Sequence, residues 1–178
     1  MHIKRIYSAF SLLEVLIVIA IIGVVSAFVA PNISDWNCKQ ETRNDFESVS
    51  GFLNKLRVEA TGRNRTMQVR SINNGTNSLL KAYQGNSSYK QSCNSGSWTY
   101  LGASGIPDYQ IKATLTVPSS KVCFNGDGTA TATSSTDSYD ISRTCGGAKI
   151  AYRANIFGAT GFIERLKFNS KSSQWDEL

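Results

Sequence analysis

The sequence predicts an α+β protein in which one long N-terminal helix packs against antiparallel β-sheet. Three observations predict it. An apolar block from Phe10 to Ala30 carries a single charge, Glu14. Apolar residues then recur at three- and four-residue spacing as far as Ala60. Beyond that point short alternating segments stand between turns rich in Gly and Asn. At roughly 150 residues per domain, 178 residues hold one globular domain and something extra. The 19 Lys and Arg against 13 Asp and Glu give a formal charge of +6, with one His. A lone histidine argues against a His-based metal site and against Ser-His-Asp chemistry. No enzyme activity, cofactor or metal is therefore expected.

The apolar block is long enough at 1.5 Å per residue to span a hydrocarbon core of about 30 Å. Lys4 and Arg5 precede it, and positive charge on that flank favours a cytoplasmic N-terminus and an exported C-terminal part. A cleavable signal peptide would have a shorter core and a small-x-small site, for which Ser26-Ala27-Phe28 is a candidate. A plain signal anchor leaves Glu14 unexplained, because a carboxylate inside an apolar helix needs a partner.

Phe10-Ser11-Leu12-Leu13-Glu14 follows a basic leader, with Glu14 fifth from Phe10 and Pro31 twenty-second. This resembles the type IV pilin and type II secretion pseudopilin family. The resemblance implies a prepilin peptidase that cuts between Ala9 and Phe10 and methylates the new amine. It further implies that Glu14 pairs with the N-terminal amine of a neighbouring subunit during assembly. A buried carboxylate is tolerable when an opposite charge meets it. The chain departs from the family at Ala9, where Gly is usual.

Beyond Pro31, the positions Ile33, Trp36, Phe46, Val49, Leu53, Leu56 and Ala60 trace one stripe. Arg43, Asp45, Glu47, Lys55 and Glu59 mostly occupy other faces, the pattern of an amphipathic helix. Pro31 should bend this helix rather than end it, and Gly62 is the expected stop. The helix from Phe10 to Thr61 would be roughly 75–80 Å long.

After Gly62 the period shortens. Strands are expected at 66–70, 79–83, 97–101, 110–117, 122–124, 139–143, 149–153 and 162–168, in two small sheets. Within 110–117, Ile111, Ala113, Leu115 and Val117 alternate with Gln110, Lys112, Thr114 and Thr116, giving one buried and one wet face. The stretches Leu53–Ala60 with Arg63–Val69, Val122–Ala130 and Ala159–Ile163 are similar to segments of H-type pseudopilins and FimT/FimU-type minor pilins. The domain reading is a leader at 1–9, a transmembrane and assembly helix at 10–31, its amphipathic continuation at 32–62, and an exported β-rich head at 63–178.

Cys38, Cys93, Cys123 and Cys145 are an even set without any CxxC, so disulfides are expected in an exported domain. Three pairings are open. The first choice is Cys123–Cys145, both near strands of the C-terminal half, which leaves Cys38–Cys93 to pin the loop at 71–110 onto the helix. Each bridge would contribute about 2–4 kcal/mol.

Arg57, Arg63, Arg65 and Arg70 cluster with Lys55, opposed by Glu59. They are candidates for contact with nucleic acid or a neighbouring subunit, as are Arg165 and Lys167. Some minor pilins capture DNA through a basic stretch near the last hairpin, where this chain has Phe162 and Glu164, and phosphate contacts tolerate few carboxylates. DNA is therefore the less favoured partner. Asn125-Gly-Asp127-Gly128 lacks the alternating ligands and twelfth-position Glu of a calcium loop and reads as a surface turn.

The expected function is that of a minor pilin or pseudopilin, a structural subunit that initiates or caps a pilus or secretion pseudopilus. The alternatives are a DNA-capturing minor pilin and a major pilus subunit. The partners implied are prepilin peptidase, other minor subunits, the major subunit, an inner-membrane assembly platform and the lipid bilayer. The expected placement is single-pass in the inner membrane, head in the periplasm, then the fibre.

Overall fold

The computed structural model describes residues 11–73, 77–86, 89–102, 105–118, 121–131 and 136–178. One helix, α1 (Leu12–Arg63), is followed by strands β1 (Met67–Asn73), β2 (Ser78–Gly85), β3 (Trp98–Tyr100), β4 (Tyr109–Ile111), β5 (Thr114–Thr116), β6 (Cys123–Phe124), β7 (Ala130–Thr131), β8 (Thr136–Cys145), β9 (Ala148–Phe157), β10 (Ile163–Asn169) and β11 (Gln174–Glu177). The chain divides into two compact units, Met1–Asn37 and Cys38–Leu178.

In the first unit the helix opens at Ser11, whose hydroxyl and carbonyl both accept from the Glu14 backbone N–H, at 3.2 and 3.1 Å. Ser-x-x-Glu is a capping-box sequence, so local chemistry fixes where the helix starts. Pro31 does not end it: α1 runs on through that residue. Among the described residues no helix is long and apolar enough to cross a membrane. The single-pass placement with a cytoplasmic N-terminus and a periplasmic head is corrected on that finding.

In the second unit α1 buries Thr42, Phe46, Val49, Ser50, Leu53, Leu56 and Ala60, a stripe at the 3.6-residue period. Ile33 and Trp36, expected on the same stripe, are 50% and 60% exposed. Both belong to the first unit, ahead of the stretch of α1 that packs in the head. The helix also ends later than Gly62. Asn64 adopts a left-handed backbone, φ 50°. The Arg65 N–H then reaches the Ala60 carbonyl at 3.0 Å and the Asn64 N–H reaches that of Thr61 at 3.2 Å. This double closure satisfies the last carbonyls, and asparagine tolerates the conformation better than most residues.

Two antiparallel sheets receive the stripe. The first runs β3-β2-β1-β6-β7 with β4 also on β2, and the second β11-β10-β9-β8-β5. Phe46 stacks on Tyr152 of β9 at 5.1 Å, while Phe52 meets Tyr109 of β4 edge-on at 5.3 Å. One helix thus packs against both sheets.

The strand expected at 110–117 is broken in two. β4 pairs with β2 in the first sheet and β5 with β8 in the second. At the break Asp45 of α1 accepts from the backbone N–H groups of Lys112 and Ala113, at 3.1 and 2.7 Å. A ladder would otherwise have to satisfy these donors, so the helix carboxylate is what lets the chain change sheets. The alternation itself survives, with Ile111, Ala113 and Leu115 buried. β7 and β11 were not foreseen, and both are short edge strands.

The cysteines pair differently from the expectation. The bridges are Cys38–Cys145 and Cys93–Cys123, each with Cα atoms 5.7 Å apart. Cys123 belongs to the first sheet and Cys145 to the second, so neither expected pairing forms. Cys38 instead meets the end of β8, and Cys93 meets β6, where Gln68 Nε2 also donates to the Cys93 carbonyl at 2.6 Å.

The two bridges close spans of 107 and 30 residues. Loop entropy then predicts that C38A/C145A loses about 4–5 kcal/mol and C93A/C123A about 3–4 kcal/mol. Urea unfolding of the two double variants measures both values and their order. Asp45→Ala leaves two backbone donors without their acceptor and is expected to cost about 2–4 kcal/mol in the same assay.

Candidate assembly surface

The first unit presents an apolar surface that the described chain does not cover. Side chains from Leu12 to Ser26 are exposed on every side of the helix, including Ile17, Ile19, Ile21, Ile22 and Val24. A helix that is apolar all round requires cover, and a patch of this size on a monomer marks an interaction surface. Glu14 is the one charged side chain within it, also exposed. Its backbone N–H belongs to the Ser11 cap, which leaves the carboxylate group at the first turn, the end where a negative charge is favoured by the helix dipole. The Ser11 cap was overlooked in the sequence, although Ser11-Leu-Leu-Glu14 spells it. Ala9 and Phe10, the proposed processing residues, lie outside the described residues.

The arginines considered for nucleic acid do not converge. Arg57 donates to the Thr160 carbonyl at 3.1 Å, in the loop between β9 and β10. Arg63 pairs with Glu59 at 2.6 Å, one helical turn back. Arg65 donates to the Asn86 carbonyl at 2.7 Å. Arg70 lies over the Tyr83 ring at 4.1 Å and donates to Gln68, on the first sheet. Arg165 pairs with Glu47 and lies over Phe46. Lys167, on β10, is exposed. Arg57, Arg65, Arg70 and Arg165 tie one part of the head to another, and Arg63 closes a turn of α1, which are structural uses of charge.

The Gly-rich turn at 125–128 closes on itself. The Asp127 carboxylate accepts from the Thr129 hydroxyl at 2.6 Å and its N–H at 3.0 Å. These bonds, with Lys90 at 3.8 Å, hold the Asp127 carboxyl below its ordinary value. Its oxygens are thus already engaged. Among the described residues no group of three or more His, Cys, Asp or Glu is placed to hold a metal ion. Thr66 supplies a further lock unseen in the sequence. It is buried, and its hydroxyl donates to the Tyr89 carbonyl at 3.0 Å and accepts from the Gln91 N–H at 2.8 Å. The loop after β2 is thereby fastened to the start of β1.

Gly161 marks a close backbone approach in the head. Its φ is +60°, and a Cβ there would run into the Gly128 carbonyl. The Ala130 N–H meanwhile donates to the Gly158 carbonyl at 2.8 Å. Together these join the hairpin of the second sheet to the edge of the first.

Comparison with known proteins gives one match. The family described as "Prokaryotic N-terminal methylation motif" matches residues 4–30. No curated protein and no solved structure matches. With a long N-terminal helix packed on antiparallel sheets, that motif supports a generic type IV pilin- or pseudopilin-like fold, and a structural subunit rather than an enzyme.

Proposed function

We propose that the chain is a minor subunit of a type IV pilus or type II secretion pseudopilus, one that starts or caps the fibre. The observation that carries this reading is the uncovered apolar segment with its single carboxylate, in a stretch that matches the methylation motif. An all-round apolar helix can be covered by equivalent helices of neighbouring subunits. Burial there at roughly 25 cal/mol per Å² supplies the driving force, and it is not directional. Register then has to come from a polar contact. Glu14 does this by meeting the amine that prepilin peptidase leaves on Phe10 of a neighbour, because an unpaired carboxylate inside the packed helices is costly. The resemblance of Leu53–Ala60, Arg63–Val69, Val122–Ala130 and Ala159–Ile163 to segments of H-type pseudopilins and FimT/FimU-type minor pilins is our ground for preferring the minor role over the shaft subunit. The assembly platform, the other minor subunits and the major subunit are the partners of this reading. Nucleic-acid capture gains nothing from the head, where the arginines are engaged internally.

Two outcomes follow. Protein co-produced with prepilin peptidase should begin at N-methylated Phe10 in its intact mass and gain about four daltons on reduction of the two disulfides. A start after Ala27 or Ala30 overturns the reading. Glu14→Ala should fold as the parent does but enter sheared fibres roughly 100-fold less, as expected for about 3 kcal/mol lost from a buried pair. Normal incorporation would remove Glu14 from the mechanism.

A further inference from the structure

The helix covers only part of the second sheet. Its cover is seen at Tyr152, under Phe46, and at Arg165, paired with Glu47. On the same face, alternation places Ile150 two residues from Tyr152, and Asn169 two residues beyond Lys167. Lys167 stands opposite both Tyr152 and Asp176 in the strand register. Lys167, Lys171 and Asp176 are exposed. A groove of about 330 Å³ opens there, lined among others by Lys149, Ile150, Lys167, Asn169, Lys171 and Asp176.

The charges of this groove are not neutralised. Among the described residues Lys149, Lys167 and Lys171 have no ion-pair partner, in contrast to Arg143, Arg153 and Arg165 elsewhere on the sheet. The one carboxylate in the lining, Asp176, accepts from Asn169 Nδ2 at 2.9 Å. Asn169 is fixed in turn, since its side-chain oxygen accepts from the Lys171 N–H at 3.1 Å. The result is a partly apolar floor at Ile150 with positive charge around it.

We infer that this groove, lined by β9, β10, β11 and the turn between the last two, docks an acidic segment of a neighbouring subunit. Lys149, Lys167 and Lys171 would meet its carboxylates and Ile150 its apolar side chain. The inference rests on the subunit reading above and supplies that reading with a contact on the head. Charge complementarity selects the occupant. A nucleic-acid strand is the alternative occupant, and the test below separates the two. Trp175 is held on the opposite face by Phe168 and Arg153, at 5.3 and 4.2 Å.

The test uses the full chain in non-ionic detergent. Acetylated hexaglutamate, a 12-nucleotide oligothymidylate and inorganic phosphate are titrated by amide chemical shift. Hexaglutamate should move resonances of 148–150, 167–171 and 176, weaken with salt, and bind the triple variant K149E/K167E/K171E at least tenfold less. Lys149→Gln, Lys167→Gln and Lys171→Gln together keep the side-chain length and guard against misfolding, and should give the same loss. Equal binding by these variants, shifts elsewhere on the head, or tighter binding of oligothymidylate overturns the groove assignment. Fibre incorporation is scored separately. Failure of the peptide with normal incorporation sinks the groove alone, whereas a wrong N-terminus sinks the subunit reading.

Discussion

The head depends on one helical stripe that must satisfy two sheets at once. Phe46 and Phe52 project from neighbouring turns of the same helix, one onto Tyr152 and the other onto Tyr109. Neither sheet has a closed core of its own. Buried residues of α1 and of both sheets, Leu53, Leu56 and Ala60 among them, form one core cluster. Close packing makes such sharing unforgiving, since a volume change on the helix is felt on both sides. Polar contacts then fix what burial alone leaves loose. Asp45 anchors the point where the chain passes from one sheet to the other, and Glu41 and Glu47 reach Arg143 and Arg165 on the second sheet.

The distribution of charge follows from this arrangement. A net basic head might be taken for a nucleic-acid surface. Yet most of its arginines are spent on carbonyls, carboxylates and rings of the same chain. Arginine suits that work because its planar group can donate in several directions while stacking on an aromatic face, as Arg153 does between Asp140 and Trp175. Among the described residues, the lysines near the end of the second sheet face outward without an ion pair, as Lys39, Lys112 and Lys121 do elsewhere.

Much of the helix was legible because its information is local. Phe46, Val49, Leu53, Leu56 and Ala60 carry the 3.6-residue period, and all are buried. Ile33 and Trp36 were misplaced because the spacing carries no mark of where the head begins, at Cys38. Strands with clear alternation were found, and short edge strands such as β7 and β11 were not, since two to four residues carry too little pattern. The division of 110–117 could not be read from that segment at all. Its cause is Asp45, 67 residues earlier. The cysteine pairing failed for the same reason: spacing says nothing of which sheet a strand joins, and Cys123 and Cys145 went to different ones. At the assembly surface the single carboxylate was conspicuous, whereas the Ser11 cap beside it was lost among apolar neighbours.

The bridge between Cys38 and Cys145 sits at the first residue of the head and joins it to the far end of β8. Tension arriving along the backbone at Asn37 therefore meets a covalent junction before it meets any packed side chain. Load divides at that point between the helix and the ten-residue ladder of β8 on β9. Without the bridge, the same pull would strip Thr42, Phe46 and Val49 from the sheets one turn at a time, like a zip. The bridge thus ties the start of the head to the second sheet by a bond that does not depend on side-chain packing.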